Sequence, residues 1–152
     1  QTLPPLVAGA PAPGMPPDPE DQQGGEPTAR GLSEDARFAQ RNFGETFSPR
    51  GQQELSRVAG RPIRTIDDLA GAIRSGNVSP SQIPVNVVNR GGNTLILNTR
   101  TTQALQRAGV SRSQFNVRDV TGNARFERML DRQLRGSNLN NEGIRNPISR
   151  GE

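Results

Sequence analysis

The 152-residue sequence contains no cysteine, histidine, lysine, tryptophan or tyrosine. Without cysteine there is no disulfide and no thiolate nucleophile. Without histidine the chain lacks the usual general base near neutral pH and the commonest zinc ligand. Histidine-based nucleases, zinc deaminases and Ser-His-Asp hydrolases are therefore excluded. The missing tryptophan and tyrosine, with only five phenylalanines, argue against platforms on which nucleobases stack. No apolar run approaches the roughly 18 residues of a membrane-spanning helix. Gln1-Thr2-Leu3-Pro4-Pro5 lacks the basic and apolar regions of a signal peptide, and the missing initiator methionine reads as an internal cut in a longer protein.

All 19 basic residues are arginine. A GC-rich genome accounts for this, and so does phosphate binding, because a planar guanidinium grips phosphate with two bonds. Residues 1–30 carry Asp18, Glu20, Asp21 and Glu26 against Arg30 alone, whereas residues 31–152 carry 18 arginines against 11 acids, a net +7. A basic module of that size suits an anionic partner.

Eight of the 13 prolines fall in residues 1–27, with Gly-Gly at 24–25 and few large apolar side chains. Such a segment cannot bury a core, so residues 1–30 are predicted to be a disordered Pro/Gly-rich linker. A helical lead-in follows over 31–60. Ser33-Glu34-Asp35 reads as a helix start with Phe38, Ala39 and Phe43 on one face, Phe47-Ser48-Pro49-Arg50-Gly51 breaks it, and a short helix over Gln52–Ala59 ends at Gly60. An α+β module is expected over 61–136. Thr65 and Asp68 form a capping box, and Ile66, Leu69, Ala70 and Ile73 make an apolar stripe closed by Gly76. Asn77–Gln82 reads as a loop. Val85, Val87 and Val88, then Leu95, Ile96 and Leu97, form a hairpin about Arg90-Gly91-Gly92-Asn93. A helix over about Thr99–Ala108, a strand over Phe115–Val120 and a helix over Asn123–Arg135 with Phe126, Met129, Leu130 and Leu134 inward complete it. Residues 137–152, rich in Asn, Gly and Ser, are predicted to be a loose tail.

The turn Asn98-Thr99-Arg100-Thr101-Thr102 joins a strand to a helix. Helix-start N–H groups lack partners and carry partial positive charge, so hydroxyls and an arginine placed there make a seat for phosphate. Simple helix capping by Asn and Thr is the competing explanation.

These segments together resemble the ParB/sulfiredoxin-like fold over residues 62–120. The family's Leu-Ala-x-Ser-Ile, Gly and Pro-Ile-x-Val segments are similar to Leu69-Ala70-Gly71-Ala72-Ile73, Gly76 and Ile83-Pro84-Val85. Its phosphate-contacting Gly-Glu-Arg-Arg box, with a following Ala and a later Ala-Gly, aligns its first arginine with Arg100 and its alanines with Ala104 and Ala108-Gly109. Asn98, Thr99 and Thr101 replace the box Gly, Glu and second Arg, so a role carried by that glutamate is missing here. A Pro-rich leader ahead of a small basic module also resembles the toxin tip of a polymorphic, Rhs-type bacterial toxin. Such tips are often nucleases and are neutralised by an immunity protein. The resemblance implies a secreted effector carried by a parent toxin shell or secretion scaffold and acting in the cytoplasm of a target cell.

Arg125, Arg128, Arg132 and Arg135 recur at i, i+3, i+7 and i+10 on the last helix. They read either as a track for a phosphate backbone or as a solvated face paired with Glu127 and Asp131. Asp67, Asp68, Asp119 and Glu127 are the carboxylates available for acid–base work or magnesium binding, with Asp68 assigned to capping and Asp119 best placed. The expected function is a histidine-independent nuclease acting on DNA or RNA. Arg100, Thr99 and Asp119 are its expected catalytic residues. Asn98, Thr101, Arg125, Arg128 and Arg132 contact nucleic acid, no metal ligand set is assigned, and magnesium is left open as a cofactor. The alternative is a ParB-type module that binds nucleotide or nucleic acid without catalysis.

Overall fold

A computed structural model describes residues 28–151; residues 1–27 of the expected linker over 1–30 lie outside the described residues, as does Glu152. The described chain is α+β, in the order β1 (Thr28–Arg30), β2 (Arg37–Phe38), β3 (Asn42–Phe43), α1 (Pro49–Ala59), α2 (Ile66–Arg74), β4 (Val85–Arg90), β5 (Asn93–Ile96), α3 (Thr99–Arg107), β6 (Asn116–Asp119), α4 (Ala124–Gly136) and β7 (Ile148–Ser149). Five strands form a mixed sheet in the order β1-β6-β4-β5-β2, and β3 pairs with β7 separately.

The predicted hairpin is the centre of that sheet. β4 and β5 pair antiparallel, with Val88 opposite Leu95 and Arg90 opposite Asn93. Gly91 and Gly92 turn the chain at φ 59° and 84°, a left-handed pair that suits the twist of the flanking strands. β6 lies parallel to β4 on the other side. β4 is buried along Val85–Val88, so each face of the sheet needs its own cover. Val85, Val87 and Ile96 pack with Ile66, Leu69, Ile73, Ala104 and Leu105 of α2 and α3. Val88, Leu95 and Leu97 pack with Phe126, Leu130 and Leu134 of α4. The capping box at Thr65 and Asp68 forms as the sequence implies, and α3 and α4 fall within a residue or so of their expected bounds. Part of the expected loop, Pro80–Gln82, is a 3₁₀ turn.

Four expectations need correction. First, Thr28–Arg30, inside the expected linker, pair antiparallel with β6 as an edge strand. Second, no helix starts at Ser33. Its hydroxyl and carbonyl accept from Asp35 N and Ala36 N, which closes a turn, and the chain then runs extended. The helix-like spacing of Phe38, Ala39 and Phe43 misleads because an extended strand crosses between two layers here. Phe38 and Phe43 join the α2–α3 core, while Ala39 joins the α4 core. Arg112 holds this segment, donating to Ser33 O and Ala36 O at 2.9 and 3.1 Å with its guanidinium 5.8 Å from the Phe38 ring centroid. Third, Ser48-Pro49 does not break a helix but begins α1, with Ser48 accepting from Gly51 N and Pro49 filling a position that needs no N–H.

Fourth, residues 137–151 return to the core. Phe38 N donates to Ile144 O at 2.8 Å, Ile144 N donates to Phe38 O at 2.9 Å, and β7 pairs with β3. Backbone pairing builds this contact, so hydrophobic pattern carries no trace of it. Arg41 fastens the start of the return, its Nε donating to Ser137 O and its Nη2 to Asn138 O. Farther along, the Ser149 hydroxyl donates to Glu45, whose two oxygens also accept from Arg107 at 2.7 and 2.8 Å. Arg107 reaches Asp67 at 3.0 Å as well, so one guanidinium joins α2, α3 and the β3–α1 loop.

At Gly143 the backbone takes φ 63°, and a Cβ would come within 2.5 Å of Phe38 O. Gly143→Ala is therefore expected to lower stability by about 2 kcal/mol or more, combining a left-handed non-glycine residue with a clash against backbone. A melting curve checks it, and an unchanged midpoint would mean the tail does not pack as described. A second test follows from Glu45, whose carboxyl the Arg107 hydrogen bonds hold down at about 2, below its ordinary value of 4.5. A depressed folded value means the stabilisation is complete above about pH 4.5 and is lost as pH falls toward 2. The stability gap between wild type and Glu45→Gln, about 1 kcal/mol at neutral pH after allowing for solvent screening, should close across that window in pH-dependent denaturant titrations.

Candidate functional site

The strand-to-helix turn at Asn98 begins α3, but Asn98 does not cap it. Its Oδ1 instead accepts from Asn86 N at 2.6 Å, and Asn86 Oδ1 accepts from Arg118 Nε at 2.8 Å. The parallel register that sets Asn86 beside Arg118 makes the second bond. Among the described residues, the N–H groups of Thr99, Arg100 and Thr101 find no acceptor, so the positive end of α3 is left uncapped.

One cleft opens beside this helix start, and a second lies nearby on the α4 side. The first, about 300 Å³, is lined by Asn86, Asn98, Thr101 and Arg118 on its polar side and by Leu55 and Val58 of α1 on its apolar side. Asn86 is 8 % exposed, and the little that shows opens on this cleft. The second, about 500 Å³, runs between α4 and the returning tail, with Arg132, Gln133 and Arg150 in its walls. Gln133 donates to Leu97 O at 3.3 Å, which ties this cleft to the same turn.

The expected site residues divide between these places. Asn98 and Thr101 face the first cleft. Arg100 turns the other way, its Nε donating to Gly44 O at 3.0 Å. Burial, and then the charge of Arg150, push its guanidinium below the usual arginine range. Thr99 is not a surface donor. It is 2 % exposed and its hydroxyl, like that of Thr102, has no partner. Asp119 is not brought to the turn. It accepts from Asn89 Nδ2, Thr121 N and the Thr121 hydroxyl, closing the β6–α4 turn. Asn89 lies three residues along β4 from Asn86, a separation of about 10 Å. The other carboxylates are also engaged: Asp68 in its cap, Asp67 with Arg107, and Glu127 with Arg90 and Gly122 N. Among the described residues no three acidic side chains gather as a metal site.

Sequence reading missed Arg90. Projecting from the end of β4, its two terminal nitrogens hold Glu127 and, at 2.7 Å, Asp131. The Gly122 N–H and then Arg90 lower the Glu127 carboxyl below its ordinary value, and the two carboxylates raise Arg90. Both acids of α4 are thereby drawn toward the sheet, on the flank opposite Arg125 and Arg132. The solvated-face explanation for the arginine stripe needed those two acids. Arg128, Arg132 and Arg135 are exposed and have no ion pair among the described residues. Arg125, Arg128 and Arg132 line a shallow concavity of about 230 Å³ that meets the second cleft at Met129 and Arg132. A basic helix adjacent to a strand pairing was the only signal, and it does not specify which arginine takes the acids.

Comparison with protein-family models, curated proteins and solved structures gave no match for this chain.

Arg90 gives a test that touches no proposed ligand contact. In Arg90→Gln, Glu127 and Asp131 are left as uncompensated charges beside the stripe. Affinity for a polyanion at low salt should fall about two- to fivefold, and the difference should fade above about 0.1 M salt as screening sets in. Equal affinities at low salt would show that the field of α4 does not govern binding.

Proposed function

We propose that this chain is a nucleic-acid-binding module that grips phosphate through arginine. The observation that carries this reading is the face of α4, where Arg128, Arg132 and Arg135 are exposed without an ion pair among the described residues while Arg90 takes the neighbouring acids. Counterion release from phosphates is the dominant favourable term for such a surface. The uncapped start of α3 supplies further donors. With every phenylalanine buried, bases have no aromatic platform, which favours contact with the backbone over contact with bases. The ParB-like resemblance and the Pro-rich leader extend the proposal to context: the toxic tip of a secreted polymorphic toxin, delivered to a target-cell cytoplasm and neutralised by an immunity protein.

Strand cleavage is a second reading. It is favoured by the position of Arg100, whose terminal nitrogens have no partner among the described residues and stand beside the uncapped helix start, where they would stabilise charge on a phosphorane. Proton transfer would then fall to water, with or without magnesium, since the four candidate carboxylates are engaged elsewhere.

Incubation of the protein with DNA, RNA and transfer RNA, with and without magnesium, separates binding from cleavage. Affinity should fall about tenfold or more from about 50 to about 200 mM salt if several phosphates are contacted. Combined Arg125→Gln, Arg128→Gln and Arg132→Gln changes should lower the salt slope by about three, roughly one per lost phosphate contact. Salt-independent binding, or a wild-type slope in the triple variant, would refute the phosphate track.

A further inference from the structure

The returning tail does more than close the fold, because it carries an arginine into a cleft already lined by α4. Arg150 follows β7, and its backbone N–H donates to Phe43 O at 2.8 Å. Its Nη1 donates to Asn42 Oδ1 at 3.0 Å, which fixes the guanidinium in the cleft wall across from Arg132 and Gln133. Arg100 stands close enough to Arg150 for the two positive charges to disfavour each other. Arg150 has no ion pair among the described residues. Glu45, which accepts from the neighbouring Ser149 hydroxyl, has both oxygens taken by Arg107. Arg132 likewise has no ion pair among the described residues, and Gln133 Oε1 is buried without a partner. Guanidiniums held close by protein contacts, with no ion pair among the described residues, are costly unless an anion joins them.

We propose that Arg150, with Arg132, forms a phosphate subsite at the mouth of this cleft that continues the α4 arginine track. The cleft and the concavity under Arg125 and Arg128 share Arg132, so a strand lying along α4 passes directly into it. The C-terminal tail is then part of the binding surface. The ligand chemistry is a phosphate group, either a phosphodiester of a bound strand or free phosphate. Its assignment to a strand rests on the nucleic-acid reading above, whereas the subsite itself does not.

Two measurements on wild type, Arg150→Gln and Arg150→Lys test this. Inorganic phosphate should raise the wild-type melting midpoint, and Arg150→Gln should lose that shift. For a short single-stranded oligonucleotide, Arg150→Gln should weaken binding about three- to tenfold and lower the salt slope by about one. Arg150→Lys should recover the slope but only part of the affinity, because an ammonium keeps the charge without the fork. It also guards against a merely destabilised glutamine variant. A phosphate shift and a salt slope that are both unchanged in Arg150→Gln would overturn the subsite. If wild type binds no oligonucleotide yet phosphate still protects it through Arg150, the nucleic-acid reading fails and the subsite stands. Loss of the phosphate shift with an unchanged oligonucleotide slope would overturn the continuity of the track.

Discussion

Burial of β4 on both faces is the constraint on which the rest of the molecule depends. Val85 and Val87 must be covered by α2 and α3, and Val88 by α4, so the single hairpin draws a helix layer to each side of the sheet. The end of the same strand then acts electrostatically. Arg90 leaves the sheet just where burial stops, takes the two acids of α4, and so anchors that helix while leaving its outer face positive. Packing and charge distribution are therefore consequences of one strand. A fold that covered only one face of β4 would have neither α4 nor its arginine surface in this place.

Arginine serves two purposes in this chain. Arg41, Arg90, Arg107 and Arg112 are structural: they close a helix end, bridge layers or hold a turn, and each is surrounded by carbonyls or carboxylates. Arg128, Arg132 and Arg135 have no such surroundings among the described residues. The net charge of the module therefore understates the contrast between its surfaces. Where arginines are internally satisfied, charge contributes to the fold, and where they are not, it remains available to an outside anion.

The turn at Asn98 shows why a motif read along one strand of sequence can divide in space. Adjacent helical residues point about 100° apart. Arg100 and Thr101 consequently point apart, Thr101 into the cleft against α1 and Arg100 toward Gly44, and Thr99 faces inward. The box that looked like one phosphate seat is therefore split, with Asn98 and Thr101 in the cleft against α1 and Arg100 turned to Gly44.

The sequence by itself determined the elements whose cause is local. The Thr65–Asp68 cap, the Gly91-Gly92 turn, and the apolar stripes of α2 and α4 depend on neighbours within four residues, so they are readable without the fold. It also determined an arginine-only, histidine-free chemistry. Everything that depends on distant partners was decided by tertiary structure. Phe38 and Ala39 became strand-like because Ile144, over a hundred residues on, pairs with the backbone there and because the two side chains enter different cores. Asp119 was withdrawn from the turn by Asn89 and Thr121, and the acids of α4 were withdrawn from its arginines by Arg90. Arg150 entered the cleft through a two-residue strand whose pattern is too short to carry a signal. The physical reason is the same in each case: periodicity records which face of an element is apolar, whereas a hydrogen bond or ion pair between remote groups leaves no periodicity to read.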